Sequence, residues 1–256
     1  MIDIRDGANQ FLSPRAEAWF GTDDIGRDVY TRLLYGVRTS MFIGIASALL
    51  SVMIGTALGS WAGLRGGKVD DLLMRVTDLF LAFPFLISVI LVREFLGGLS
   101  FLTPIIGQKT SLRFIIVLFA IFGWMGVARL VRGQVLALKE REFVEAARAV
   151  GASNVRIAVT HLLPNAIGPI LVALTLSVIG AVVGESTLSF FGFGPQPGDG
   201  NTSLGRLVEM SSSAAKRGDW FLVVFPCGAL VLLAVCINFI GDGLRDALDP
   251  KLDSGK

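Results

Sequence analysis

The stretch that decides the fold is SMFIGIASALLSVMIGTALGSWAGL, which runs from Ser40 to Leu64 without a charged residue. A helix that crosses the hydrocarbon core of a bilayer needs roughly 20 mostly apolar residues. This run is long enough to meet that requirement. A helix in the core of a soluble domain does not need so long an uncharged stretch. The sequence therefore predicts a membrane-spanning helix here.

Other apolar runs extend this pattern along the chain. Leu162–Gly184 and Trp220–Gly241 are long enough to span a membrane alone. Leu79–Val92 and Phe114–Ala128 are shorter, but arginines at their ends can extend toward the polar interface and lengthen the span. We therefore predict five spans, at about residues 40–64, 76–97, 113–134, 165–187 and 220–241.

The composition agrees with a polytopic membrane protein. Hydrophobic residues make up 53% of the chain and charged residues only 17%, whereas a soluble domain carries about 25% charged residues. A net charge of +2 provides no basic field for nucleic acid. Cys227 and Cys236 lie within one apolar run, which is neither a disulfide framework nor a metal-binding spacing. We expect an all-α transmembrane bundle without a metal site.

Small residues and one proline indicate how the helices pack. Gly55, Gly59 and Gly63 lie four residues apart on one helix face, and Gly180 and Gly184 repeat the spacing. Such faces let membrane helices approach closely, although ordinary glycine usage in membrane helices explains the spacing equally well. Pro84 lies inside the second predicted span and predicts a kink there.

The charge distribution gives little information on orientation. Lysine and arginine are almost equally numerous on the two sides of a five-span topology. The side that holds residues 129–161 has the shorter loops, which favours a cytoplasmic position. Residues 1–39 contain no apolar signal sequence. An unusual five-helix topology, a missing preceding helix and a segment lying flat on the membrane all remain open.

No catalytic constellation is visible in the chain. It contains one histidine, His161, and none of the patterns HExxH, CxxC and GxSxG. The segment GLRGGKV (Gly63 to Val69) lacks the first glycine of a phosphate-binding P-loop and the Ser or Thr after its lysine. Asp78, Glu94 and Glu185 lie near predicted span ends, and we interpret them as interface-solvated rather than functional acids. We predict a non-enzymatic chain that binds no cofactor.

A polar segment, EFVEAARAVGASNVRIAVTHLLPN, separates the third and fourth predicted spans. Phe143, Ala147 and Val150 have the spacing of an apolar helix face. Gly151 predicts the end of this helix, because glycine readily takes a left-handed conformation.

Ser153 or Asn154 then suits the start of a second short helix, which we expect to stop at Pro164. The segment predicts a short helical pair, suited to a groove on another protein. A solvated linker that folds back is the alternative.

The same segment resembles the EAA loop of ABC-importer permeases. The resemblance rests on Glu145-Ala146-Ala147, on Gly151 after three further residues, and on Leu163-Pro164 at the expected distance. His161 replaces the aliphatic residue usual in the wider family, and HLLPN is similar to the dipeptide, oligopeptide and nickel branch.

Further motifs extend the resemblance over about residues 20–250 and point to the second permease of the pair. They are FGTDDIGRDVYTRLLYG (Phe20 to Gly36), ARLVRGQVLALKEREFVEAARAVGAS (Ala128 to Ser153), ESTLSFFGFGPQP (Glu185 to Pro197) and GDGLRDALDP (Gly241 to Pro250). Family members usually carry one more helix before the first of these motifs. They also have a Trp-containing version of the segment GDGNTSLGRLVEM (Gly198 to Met210), which is expected outside the cell, where substrate is delivered.

The resemblance implies a type I ABC-importer permease fold and an organisation into three parts. Residues 1–38 would precede the first helix, residues 39–241 would form the permease domain, and residues 242–256 a cytoplasmic tail. The loop 135–164 would contain the coupling helix that inserts into the ATP-binding subunit. The docking residues implied are Glu145, Ala146, Ala147 and Gly151, with Phe143, Arg148, His161 and Pro164 beside them.

The resemblance also implies the partners and the cargo. A second homologous permease, two nucleotide-binding subunits that carry ATP and magnesium, and an external substrate-binding protein would complete the importer in the bacterial inner membrane. The cargo would be short peptides, while nickel chelates, haem and antimicrobial peptides remain open. A secondary transporter or channel that needs no ATPase is the alternative from a different class.

Overall fold

The computed structural model describes residues 10–195 and 202–247, and helices dominate this part of the chain. Pairing between extended segments is limited, in these residues, to isolated bridges from Arg15 to Ala18 and from Thr22 to Asp28. The predicted all-α class is confirmed. In chain order the α-helices are α1 (Val29–Arg65), α2 (Gly67–Ala82), α3 (Phe85–Gly98), α4 (Thr103–Ile106), α5 (Leu112–Leu138), α6 (Glu142–Ala149), α7 (Asn154–Ile157), α8 (Leu163–Asn165), α9 (Ile167–Phe190), α10 (Leu204–Arg217) and α11 (Phe221–Ala247).

Four of these helices, α1, α5, α9 and α11, are long and apolar enough to cross a membrane. They correspond to four of the five predicted spans. The fifth prediction, at residues 76–97, falls on α2 and α3, which are bent by 100° relative to each other. By length and composition, the described residues therefore hold four candidate spans, or five if the bent pair crosses as one.

The break between α2 and α3 lies at the predicted proline. Phe83 is extended, with φ −89° and ψ 144°, as expected for a residue that precedes proline. Pro84 cannot donate a backbone hydrogen bond, so the helix ends and restarts there. The predicted kink is confirmed in position, and the bend is a complete break.

The first helix begins earlier than the predicted boundary near residue 39. The Asp28 carboxylate accepts hydrogen bonds from the backbone N–H (2.8 Å) and the hydroxyl (2.6 Å) of Thr31, and so caps the start of α1. Arg32 in its first turn forms an ion pair with Asp23. α1 can begin this early because Arg32 pairs with the buried Asp23. Hydropathy along the sequence does not reveal this pairing.

The segment before α1 is ordered around Asp23, whose side chain is 2% exposed. Its carboxylate accepts the backbone N–H groups of Ile25 (3.0 Å) and Arg27 (2.8 Å) and binds the Arg27 guanidinium at 2.7 Å. Burial alone would raise the pKa of Asp23. The hydrogen bonds and the charge of Arg32 outweigh burial and hold that pKa below its ordinary value.

The Phe20 ring stacks on Phe225 of α11, with ring centroids 3.9 Å apart.

Contacts divide the chain into two compact units, and α1, α3, α5, α9 and α11 contribute residues to both. The first contains the described residues of Met1–Ile45, Arg93–Val117 and Ile179–Ile237. Two clusters of its buried apolar residues come from α1, α10 and α11, and α5 and α9 add Phe114, Ile115 and Leu188. The second contains those of Ala46–Val92, Leu118–Val178 and Asn238–Lys256. Its core is a cluster of valines, isoleucines and leucines from α1, α5, α9 and the segment between α5 and α9.

Several sequence predictions fall partly outside the described residues. The predicted tail, 242–256, begins within α11, and its remainder, 248–256, is not described. The same holds for residues 1–9 of the predicted pre-helix segment. It also holds for residues 198–201 of the segment that departs from the family pattern.

Within the second unit, the glycine face of α1 lies against α5. A Cβ atom on Gly55 would come within 2.7 Å of the Val127 side chain. One on Gly63 would come within 2.7 Å of Val135, and one on Gly59 would collide with the backbone carbonyl of α5. The structure thus places all three predicted packing glycines at one close helix contact.

The second glycine pair behaves differently. A Cβ atom on Gly180 would meet open space among the described residues, so this glycine makes no close helix contact there. Gly184, one turn later, is half-buried. The same glycine spacing in two helices therefore does not predict which of the two glycine faces packs against another helix of this chain.

We expect Gly59→Ala to destabilise the protein, because the added methyl group overlaps the Ala128 carbonyl and separates α1 from α5. Overpacking of this kind costs about 1–3 kcal/mol. Thermal unfolding of the purified protein in detergent measures the effect. Gly126→Ala is the matched control, since a Cβ atom there has no heavy atom within 4 Å. Equal melting temperatures for the two variants would contradict the close packing.

Candidate functional site

The polar segment between the third and fourth predicted spans forms a short helical pair within the second unit. The first helix, α6, is anchored by Val144, which is 0% exposed, and by the half-buried Ala147. Both belong to the cluster that contains Val131 and Val135 of α5 and Ile157 of α7. The segment is therefore a packed element, and the alternative of a solvated linker does not describe it.

The face that α6 turns inward differs from the predicted one. Phe143 is 40% exposed and Val150 is 90% exposed, although both were expected on the apolar face. Val150 lies outside the helix, which ends at Ala149, so the predicted spacing included a residue that is not helical. Val144 and Ala147, three residues apart, form the inward face instead.

The turn after α6 has the predicted glycine. Gly151 has φ +86°, a left-handed conformation that residues with a side chain rarely adopt. Its N–H donates to the Arg148 carbonyl at 2.9 Å, and the Ala152 N–H donates to the Ala147 carbonyl at 3.0 Å. This pattern is a Schellman motif. Ser153 then caps α7, because its hydroxyl accepts the Arg156 N–H at 3.3 Å, which confirms Ser153 rather than Asn154 as the cap.

The helix does not stop at Pro164 as predicted. A wide π turn, Ala158–Leu162, follows α7, and the Leu163 N–H donates to the Ala158 carbonyl. Pro164 then lies in the first turn of α8, where its missing N–H leaves no bond unmade. The chain leaves the helical conformation only briefly at Ala166 before α9 begins. The wide turn thus accommodates the proline within an almost continuous helical path.

The predicted docking residues divide by exposure. Ala147 and His161 are half-buried, and the ring centroids of His161 and Phe143 are 6.3 Å apart. The exposed members of the predicted set are Glu145, Ala146, Arg148, Gly151 and Pro164, together with the flanking Phe143. Buried anchors on one side and exposed polar and small residues on the other give α6 a fixed exposed surface.

Two ion pairs, in addition, support the helix that leads into this loop. Asp70 of α2 binds Arg132 of α5 with both carboxylate oxygens, one of them 2.6 Å from Nη2. Asp78 pairs with Arg129 one turn earlier on α5. Asp78 is largely exposed, as predicted, while Asp70 is buried and was not singled out from the sequence. The bidentate Asp70–Arg132 pair fixes both the distance and the orientation between α2 and the end of α5.

The interpretation of Glu185 as an interface-solvated acid is wrong, because its side chain is 0% exposed. The carboxylate accepts hydrogen bonds from the hydroxyl groups of Ser189 (2.7 Å), Ser203 (2.7 Å) and Ser40 (2.9 Å). These hydroxyls take the place of water. Ser189, one turn after Glu185, is a local sequence signal. Ser40 and Ser203 are distant from Glu185 in the sequence, so no local pattern indicated that they contact it.

Glu94, by contrast, is about half exposed and lies between two cations. Its carboxylate contacts Arg93 at 2.6 Å and also pairs with Lys109. This agrees with the predicted solvated position. Among the described residues, no group of three or more His, Cys, Asp or Glu side chains is placed to hold a metal ion.

Comparison with known proteins places these features in a family context. The sequence profile described as "Binding-protein-dependent transport system inner membrane component" matches residues 55–254. The dipeptide transport system permease protein DppC of Bacillus subtilis (strain 168) is 42% identical over 243 residues, which cover 95% of this chain and 72% of the relative. The oligopeptide transport system permease protein OppC of Escherichia coli (strain K12) is 40% identical over 251 residues, covering 97% and 78%.

Solved structures agree at the level of the fold. A chain from the MetNI methionine ABC transporter in an inward-facing conformation has a TM-score of 0.69 and 23% sequence identity. The match covers 86% of this chain and 97% of that one. A second crystal form of the same transporter gives a TM-score of 0.67 at 22% identity. At this identity, the likeness establishes a shared helical architecture.

Proposed function

Because the chain belongs to the family of inner-membrane components of binding-protein-dependent transport systems, we propose that it is the second permease subunit of an ATP-driven importer of short peptides. It is a multi-pass membrane protein with the type I ABC-importer permease fold. The observation that supports the peptide substrate most strongly is the 42% identity to a dipeptide permease over 95% of the chain.

We assign ATP and magnesium to partner ATPase subunits. The glycine-lysine segment Gly63 to Val69 lacks the residues with which a P-loop binds phosphate and magnesium. The complete importer would contain a second homologous permease, two ATPase subunits and an external substrate-binding protein, in the bacterial inner membrane. In this division of labour the chain does no chemistry itself.

The α6 loop is the proposed site of coupling. Val144 and Ala147 fix α6 to the valine cluster of α5, so that a force on the exposed residues moves the span rather than bending the loop. The ion pair between Asp70 and Arg132 stiffens the same end of α5. Closure of the ATPase subunits would thus tilt the spans between inward-open and outward-open arrangements.

A cytoplasmic α6 sets the orientation of the spans that follow. The loop joins the end of α5 to the beginning of α9, so both of these helix ends face the cytoplasm. The end of α9, all of α10 and the beginning of α11 then lie on the outer side. The beginning of α1 belongs there too, because Gly21, shortly before it, contacts Phe221 at the start of α11.

Reconstitution tests the proposal. The chain, its second permease and the ATPase subunits are placed in lipid vesicles with the external binding protein, and uptake of a radiolabelled dipeptide is measured. We expect uptake that requires both ATP and the binding protein, and co-purification of the chain with the ATPase. Uptake driven by an ion gradient without ATPase would indicate a secondary transporter. ATP-driven uptake of a nickel chelate or haem, but not of peptide, would overturn the substrate class.

A further inference from the structure

Three helices meet around Glu185. The carboxylate belongs to α9, Ser40 to α1, and Ser203 directly precedes α10. The Ser40 hydroxyl has two partners, since it donates to the carboxylate at 2.9 Å and accepts the Leu204 N–H at 3.0 Å. We call the four residues Glu185, Ser40, Ser189 and Ser203 the Glu185 junction. Each of its hydrogen bonds is buried.

The junction satisfies a buried carboxyl group without a cation. Among the described residues, no lysine, arginine or histidine forms an ion pair with Glu185. The three hydroxyl donors and the beginning of α10 take that role instead. The unpaired N–H groups at a helix N-terminus carry a partial positive charge that favours an anion. The carboxylate of α9 therefore holds the first turn of α10 in place.

The helices are closely packed around the Glu185 junction. A Cβ atom on Gly205 would come within 2.5 Å of the Ser186 Cα of α9. One on Gly36 of α1 would come within 3.2 Å of the Leu204 backbone nitrogen. The first turn of α10 thus touches the backbones of both long helices, and a shift of α10 must break these contacts.

The rest of α10 is amphipathic. Leu207 and Ala214 pack against apolar residues of α1 and α11, while Ser212, Ser213 and Lys216 are exposed. An exposed face of this polarity suits water or a water-soluble partner rather than lipid. In the orientation of the proposed function, this face lies on the outer side, where the external binding protein approaches.

We propose that Glu185 is a positioning residue that fixes α10 to α1 and α9, so that contact between the loaded binding protein and the outer surface is transmitted to those two spans. The inference rests on the proposed importer function. It adds a specific path by which movement of α10 reaches the α6 loop. That path is α9, which continues without interruption from the Glu185 junction to Ile167, directly after the loop. Without the junction, the first turn of α10 would lose its hydrogen-bonded connection to α1 and α9.

The test is the ATPase activity of the reconstituted complex with and without peptide-loaded binding protein. Glu185→Gln keeps the side-chain shape but replaces one carboxyl oxygen, an acceptor, with an amide nitrogen. Weaker hydrogen bonds would loosen the attachment of α10 to α9, so we expect the binding-protein-dependent increase in ATPase to fall about tenfold or more. Basal ATPase and assembly of the complex should stay unchanged. Ser203→Ala should act in the same direction with a smaller effect.

Thr187→Ala is the matched control. Thr187 lies two residues from Glu185 on α9 but donates only to the Val183 carbonyl of its own helix, at 2.8 Å. It should behave like the wild type. A Glu185→Gln complex with the wild-type increase would overturn the proposal, and so would parallel loss of basal and stimulated activity.

If Glu185→Gln does not assemble, Ser203→Ala decides the question, and an undiminished increase in that variant overturns the inference. The double variant Glu185→Gln/Ser203→Ala adds a further criterion. Residues that act through one junction should show non-additive effects, whereas independent residues show additive ones. A wild-type complex that shows no stimulation at all would contradict the importer function itself, which keeps the two failures distinguishable.

Discussion

Replacing Glu145 with lysine is expected to abolish ATP-driven uptake while the chain still folds. Glu145 is exposed on α6 and lies beside the buried anchor Val144, so the fold has no need of its charge. Reversal of an exposed charge in the first helical turn costs only about 0.3–1 kcal/mol of stability. At a desolvated protein interface, a wrong charge costs about 2–5 kcal/mol. We therefore expect uptake to fall about 100-fold or more.

The measurement is dipeptide uptake in reconstituted vesicles, together with co-purification of the ATPase subunit. Glu142→Lys is the matched control, because Glu142 is exposed in the same turn of α6 and undergoes the same charge change. It should retain most of the uptake. Equal loss in both variants would mean that general electrostatics, rather than the position of Glu145, governs coupling. Wild-type uptake by Glu145→Lys would remove α6 as the docking element.

Val144→Asp is expected to detach α6 from the valine cluster and to abolish coupling by a different route. The substitution places a carboxylate at a 0% exposed position among Val131, Val135 and Ile157. Burial of an unpaired charge costs several kcal/mol, so α6 separates from α5 or the carboxylate takes up a proton. We expect rapid proteolytic cleavage between residues 139 and 153 and loss of dipeptide uptake.

Val150→Asp provides the comparison for the proteolysis experiment. It is the same substitution in the same loop, but Val150 is 90% exposed and anchors nothing. Its cleavage rate should match that of the wild type, whatever its effect on docking. If Val144→Asp resists protease as the wild type does and still supports uptake, the burial of Val144 is not what holds the loop.

The features that the sequence predicted well are those set by neighbouring residues. Hydropathy over about 20 residues placed four spans, and Pro84 placed the break between α2 and α3. Gly151 was predicted correctly, and Ser153 was one of two candidate caps, because helix ends depend on a few adjacent backbone groups. The docking roles of the EAA-like residues came from resemblance, and they stay predictions until coupling is measured.

The features that were missed depend on residues distant in sequence. Glu185 finds Ser40 and Ser203 on other helices, and Asp70 finds Arg132 on α5, so local hydropathy gave no indication of either pair. The inward face of α6 was also misjudged. Phe143 is the larger apolar residue, but the valine cluster of α5 receives Val144. Tertiary packing thus overrides the local pattern.

The π turn at Ala158–Leu162 has a mechanical consequence for the joint between the loop and the fourth span. A π turn holds one residue more than the corresponding α-helical turn. Since successive residues of an α-helix are about 100° apart around its axis, drawing that residue into regular α-helix would rotate Glu145 and the rest of the loop about α9 by a comparable angle. A change in this turn, immediately before Pro164, would therefore convert a push against the loop into a twist of the span.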